Sequence, residues 1–112
     1  MGDQKSDQRG RRPPQGAVVA VVRVETLSGK SSEFAAILGD LAHRVRDEED
    51  GCTFYHVTRA IGSTDHFAVH ARFENWAAFK GHADTAHLKR AMGRINPLLA
   101  SPIAMEIYLD AE

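Results

Sequence analysis

Cysteine is scarce in this sequence, and neither charge sign is in marked excess. The single cysteine, Cys52, excludes an internal disulfide and any cysteine-based zinc or iron–sulfur site. It fits a reducing compartment, so we expect a cytoplasmic protein. Fourteen Lys and Arg against fifteen Asp and Glu give a net charge of −1, which offers no general attraction to nucleic acid or to an anionic membrane. We therefore expect no nucleic-acid partner and no membrane partner.

Long hydrophobic runs are also missing. The longest apolar run, residues 17–22, continues directly into Arg23 and falls far short of the about 20 residues that span a bilayer. It predicts a strand rather than a signal peptide. Residues 1–16 have no aliphatic or aromatic side chain after Met1, which predicts a disordered tail. The other residues, 17–112, are enough for one domain with one core.

Hydrophobic periodicity in residues 17–112 predicts four strands and two helical regions. β-branched or alternating segments predict strands at residues 17–26, 52–60, 65–73 and 103–109. Apolar residues at helical spacing from Phe34 to Val45 predict a first helix, with Ser31 or Ser32 as its cap. Asn75 is expected to cap a second helical region, which breaks near residues 81–84 and ends before Pro97. The order β-α-β-β-α-β predicts an α+β, ferredoxin-like fold with a four-stranded antiparallel sheet and both helices on one face.

The sheet face without helices carries features that predict assembly. Val19 and Val21 would be exposed there in a monomer, which favours a homodimer. If residue numbers across the second and third strands sum to 126, His56 lies opposite His70, and Tyr55 lies opposite residue 71. Two imidazoles with no further ligand favour a pair at the dimer interface over a metal site. The acidic run at residues 47–50 is interpreted as a solvated loop.

Short motifs in a fixed order resemble the antibiotic biosynthesis monooxygenase family, whose pattern begins with a Gly-Cys-aliphatic-x-Tyr strand. An aromatic-Glu-x-Trp-x-Asp segment and two histidines follow in that pattern. In this sequence, Gly51, Cys52, Tyr55, His82 and His87 match the pattern. Phe73 takes the place of the Trp, and Asn75 takes the place of the Asp. Ala71 departs from the pattern, because the family commonly has Glu there. The resemblance covers nearly all of the chain after residue 16.

The resemblance implies a dimeric α+β barrel that oxidises a small aromatic molecule, such as an aromatic polyketide, an anthrone or a quinol, with dioxygen. Such chemistry uses no cofactor and no metal, since the deprotonated substrate reduces dioxygen in a dry pocket. The candidate catalytic residues are His82 and His87, as bases, and Tyr55, as a donor to an oxyanion. The candidate substrate pocket consists of Thr53, Val69, Ala71, Phe73 and Trp76.

Other interpretations of the same residues remain open at this point. His82 is equally consistent with capping a helix end, and Tyr55 and Phe73 with simple core packing. One alternative function is a non-catalytic, small-ligand-binding or regulatory dimer, which the absence of an acid at residue 71 favours. Another is a haem-degrading enzyme. In such relatives a histidine of the second helix binds iron, and Met92 occupies that place here, which argues against haem.

Overall fold

The chain folds into a four-stranded antiparallel sheet with helices packed on one face. The structure is a computed structural model that describes residues 13–112. Its elements are β1 (Val18–Glu25), α1 (Ser31–Glu48), β2 (Cys52–Arg59), β3 (His66–Phe73), α2 (Trp76–Ala83), α3 (Ala86–Ile95), a 3₁₀ turn (Asn96–Leu98) and β4 (Ala104–Leu109). This order confirms the predicted ferredoxin-like fold. The predicted disordered tail lies for the most part outside the described residues, and residues 13–16 form neither helix nor strand.

The strand order in the sheet is β2-β3-β1-β4. The β-branched strand β1 lies inside the sheet and pairs antiparallel with both β3 and β4. Across β2 and β3, His56 lies opposite His70 and Tyr55 opposite Ala71, which confirms the predicted register. Alternation along β3 turns Ala71 towards the helices and His70 towards the outer face.

A β-bulge interrupts β2 at Thr53. Cys52 pairs with Phe73, whereas Phe54 pairs with Arg72, so Thr53 is the extra residue on its strand. Its side chain is exposed, and its hydroxyl donates to the carbonyl oxygen of Arg72 at 3.3 Å. The prediction that Thr53 lies in the substrate pocket is therefore wrong, because the inward and outward alternation restarts after the bulge.

Helix α1 covers the inner face of the sheet with one apolar stripe. Its buried side chains are Phe34, Ile37, Leu38, Leu41, Ala42 and Val45. The helix begins at Ser31, and Lys30 is the N-cap residue without a side-chain cap, so the prediction of a serine cap is wrong. Across residues 13–112, we find no helix with the length and apolar character needed to cross a bilayer.

The second helical region is divided in two, as predicted. Asn75 caps α2, where its side-chain oxygen accepts from the Ala78 backbone N–H at 2.8 Å. Thr85 caps α3 and accepts from the Leu88 backbone N–H at 3.3 Å. The Thr85 hydroxyl also donates to the carbonyl oxygen of His82 at 2.8 Å. This one hydroxyl therefore joins the end of α2 to the start of α3.

Candidate active site

A cavity of about 280 Å³ lies between the inner face of the sheet and the helices. Its volume is near the lower end of the roughly 300–1,000 Å³ found for small-molecule sites. The walls consist of aliphatic, aromatic and thioether side chains, which include Ala20, Phe34, Leu41, Val69, Ala71, Phe73, Phe79, Leu88, Met92 and Met105. Among the described residues that line it, only Tyr55 and His82 are ionisable. The cavity is thus an apolar chamber with two polar groups.

The structure brings five of the eight predicted site residues to this cavity, namely Tyr55, Val69, Ala71, Phe73 and His82. Thr53, Trp76 and His87 do not line it. Trp76 opens the first turn of α2, and its ring packs against the ring of Phe79 at a centroid distance of 5.2 Å. The expectation that Trp76 lines the pocket is therefore corrected, since Phe79 lies on the cavity wall in its place.

His82 lies at the end of α2 with its side chain only 12% exposed. Its ring centroid is 5.6 Å from that of Tyr55 and 5.2 Å from that of Phe73. The Nδ1 atom of His82 is 2.9 and 3.0 Å from the two carboxylate oxygens of Glu49. Glu49 therefore engages one nitrogen of the His82 ring and leaves Nε2 free of this contact.

His87 contacts the same carboxylate from α3 but does not line the cavity. Its Nε2 atom is 2.5 Å from Oε2 of Glu49, and its side chain is 9% exposed. The His87 ring instead lines an outer groove between α1 and α3, beside Arg44 and Arg90. The two predicted histidines therefore belong to one cluster, and only His82 reaches the cavity.

Glu49 is a site residue that the sequence analysis missed, because the acidic run was interpreted as a solvated loop. Asp47, Glu48 and Asp50 are exposed, as that interpretation requires, but the Glu49 side chain is only 10% exposed. Glu49 is the C-cap residue of α1 and adopts an extended backbone (φ −109°, ψ 92°). Its carbonyl oxygen accepts from the Cys52 backbone N–H at 3.0 Å in the turn to β2. An acid at a helix carboxyl end opposes the macrodipole, and this was the available signal that Glu49 needs partners.

The interruption between α2 and α3 allows both histidines to reach Glu49. Five residues along a continuous helix would place His82 and His87 about 140° apart around the axis. The break, capped by Thr85, reorients α3 so that the two imidazoles approach one carboxylate from different helices. Local helix capping is thus responsible for the geometry of the cluster.

Burial determines the protonation of the other polar groups near the cavity. Tyr55 is 6% exposed, and its burial, reinforced by the negative charge of Glu49, raises the pKa of its phenol well above the ordinary value. Tyr55 therefore stays neutral and can donate a hydrogen bond. Burial likewise raises the pKa of the Cys52 thiol, which disfavours the nucleophilic thiolate. Within residues 13–112, no group of three or more His, Cys, Asp and Glu side chains is arranged to hold a metal ion.

Comparison with known families gives one match that covers most of the chain. The family model described as antibiotic biosynthesis monooxygenase matches residues 17–94. This region contains β1 to β3, α2 and nearly all of α3, and with them Tyr55, His82 and His87. No curated protein matches the sequence significantly.

Solved structures share the fold along almost the whole chain. A proposed antibiotic biosynthesis monooxygenase from Caulobacter crescentus is 26% identical and superposes with a TM-score of 0.86, over 94% of this chain and 99% of its own. A second, from Nitrosomonas europaea, is 17% identical with a TM-score of 0.82, over 88% of this chain and 94% of its own. A third, from Deinococcus radiodurans, is 20% identical with a TM-score of 0.79, over 85% and 93%. At such low identities, the second and third show the fold alone.

Proposed function

Because the chain belongs to the antibiotic biosynthesis monooxygenase family, we propose that it is a cofactor-independent monooxygenase of a small, electron-rich aromatic molecule. Anthrones, quinols and related aromatic polyketides form this substrate class, and dioxygen is the second substrate. The observation that carries the proposal is the cavity: apolar walls enclose two ionisable groups, Tyr55 and His82. A chamber of this kind can bind an aromatic ring, exclude water and place it against a base and a hydrogen-bond donor.

In the proposed reaction, His82 is the general base. The Nε2 atom accepts a proton from the acidic C–H or O–H of the substrate, and the Tyr55 hydroxyl donates to the oxyanion that forms. For an anthrone, the methylene carbon becomes a carbonyl and thereby supplies four electrons to dioxygen. One oxygen atom enters the product, and the other leaves as water with the two hydrogens of the methylene group. The substrate itself is the reductant, so the equation balances without another co-reactant.

Oxygen consumption with anthrone and with a hydroquinone tests this function. We expect His82→Ala to lower the rate with the active probe by about a hundredfold, the scale expected for loss of a general base. His43→Ala is the matched control, because His43 is an exposed histidine on α1 that does not line the cavity. Equal rates in the wild type and His82→Ala would refute the role of the base. Binding of both probes without oxygen uptake would favour the ligand-binding alternative.

We further propose that the chain acts as a homodimer through the outer face of the sheet. Phe54 and Tyr108 are 53% and 52% exposed on that face, beside the half-buried Val19 and Val21. Exposed aromatic side chains on a sheet face without helices favour a second copy, with more than roughly 1,000 Å² buried in total. Sedimentation should show a dimer that Val21→Glu dissociates, whereas a persistent 12.3 kDa monomer at high concentration would contradict the proposal.

A further inference from the structure

We propose that Glu49 is a positioning residue that fixes the tautomer of His82, and that His87 is the second donor that holds the Glu49 carboxylate in place. The inference rests on the proposed function, in which His82 accepts a proton at Nε2. It adds an acid and a second histidine to the site, neither of which lines the cavity. Both would act only through His82.

The contact between Glu49 and His82 selects one tautomer. Both carboxylate oxygens lie within 3.0 Å of His82 Nδ1, and an ionised carboxylate accepts hydrogen bonds but cannot donate them. Nδ1 must therefore carry the proton, and Nε2 of the neutral ring keeps its lone pair. Since His82 lines the cavity and its Nδ1 is engaged by Glu49, Nε2 is the nitrogen available to the substrate.

The contact between Glu49 and His87 fixes the carboxylate itself. A carboxylate that is only 10% exposed needs donors to offset its lost hydration, and His87 Nε2 supplies one at 2.5 Å. The two donors come from α2 and α3, while Glu49 caps the end of α1. The carboxylate is therefore held by three separate helix ends, which limits its rotation away from His82.

This arrangement matches a requirement of the proposed chemistry. The base takes a proton from the substrate and returns a proton to the peroxide formed from dioxygen. Because Nε2 is the nitrogen available to the substrate, both proton transfers pass through Nε2. Glu49 keeps Nδ1 occupied and pairs with the imidazolium while it exists. A carboxylate has this role towards the imidazole of serine proteases, where loss of the correct tautomer costs about 10⁴-fold in rate.

Long-range ¹H–¹⁵N NMR of the imidazole rings tests the inference on the ligand-free protein. In wild-type molecules whose His82 ring carries a single proton, we expect that proton at Nδ1, and we expect His87 to carry a proton at Nε2. In Glu49→Gln, the amide can donate to Nδ1, so the His82 proton should move to Nε2. Asp50→Asn removes an exposed neighbouring acid and should leave both rings unchanged. A wild-type His82 ring with a single proton at Nε2 would overturn the proposal without any variant.

Activity measurements separate positioning from a merely structural role. Glu49→Gln keeps the shape of the side chain, and we expect kcat with anthrone to fall about a hundredfold with little change in KM. His87→Gln retains an N–H donor and should lose about tenfold or less. An unchanged kcat in Glu49→Gln would refute the positioning role. If the wild type oxidises no probe, the proposed function fails, and the NMR tautomers still decide whether Glu49 positions His82.

Discussion

Gly51, directly before β2, packs closely against Ala78 of α2. Its replacement should lower the stability of the fold and disturb the candidate active site. A Cβ atom at residue 51 would lie 2.6 Å from the Cβ of Ala78, whereas ordinary van der Waals contact begins near 3.4 Å. In the described residues, positive φ angles occur only at Gly16, Gly29 and Gly62, so the effect at Gly51 is steric rather than conformational. In Gly51→Ala, either the turn or α2 must retreat by most of an ångström.

The expected cost of Gly51→Ala follows from this overlap. Overpacking of a well-packed site costs about 1–3 kcal/mol, and each kcal/mol lowers Tm by about 4–8 °C in a domain of this size. Because α2 carries His82, the same displacement should disturb the contact between His82 and Glu49. Thermal and urea unfolding at one protein concentration give the stability change.

A double-mutant cycle with Ala78→Gly isolates the contact. Ala78→Gly alone should cost about 1 kcal/mol, as glycine does inside a helix. In the double variant, the missing Cβ at residue 78 makes room for the one added at residue 51. We expect the double variant to be more stable than the sum of the single effects predicts, by at least about 1 kcal/mol. Additive effects would show that the Cβ overlap is not the cause.

Two further predictions follow from single side chains. Thr85→Ala removes the cap of α3 and should cost about 0.5–2 kcal/mol in urea unfolding, whereas Thr85→Ser should restore most of this. Burial raises the pKa of Tyr55 well above its ordinary value, so ultraviolet absorbance titrations of the wild type and Tyr55→Phe should coincide up to and beyond about pH 10, where an ordinary tyrosine titrates. Since unfolding releases this proton more easily, Tyr55 should also make the wild type lose stability as the pH rises above about 10. A difference between the two titrations below pH 10 would contradict the burial argument.

Local patterns predicted most of the fold. β-branched runs and helical periodicity predicted the four strands and the two helical regions, and the register considered for β2 and β3, which places Tyr55 opposite Ala71, is the one observed. Asn75 identified the start of α2 because its capping bond spans only three residues. These features depend on interactions between chain neighbours or across one hairpin, which the sequence displays directly.

The site was less predictable because it depends on contacts that local patterns do not encode. Strict alternation placed Thr53 on the wrong face, since a bulge leaves no mark in an alternating pattern. The family motif predicted His82 and His87, but not that one carboxylate joins them. Glu49 could not be distinguished in the sequence from the other three acids of its run, which are exposed. Its unfavourable place at a helix carboxyl end indicated a missing partner, yet the partner is distant in the sequence.

The long sequence separation within the cluster of Glu49, His82 and His87 also has a consequence for folding. Glu49 is 33 residues from His82 and 38 residues from His87. Neither α1 alone nor the fragment that contains α2 and α3 has all three groups, so the hydrogen bonds form only when α1 packs against α2 and α3 on the sheet. A compact state with native helices but loose packing would lack them. The ring protons of His82 and His87 are therefore natural reporters of the last stage of assembly, when secondary structure becomes a specific tertiary structure.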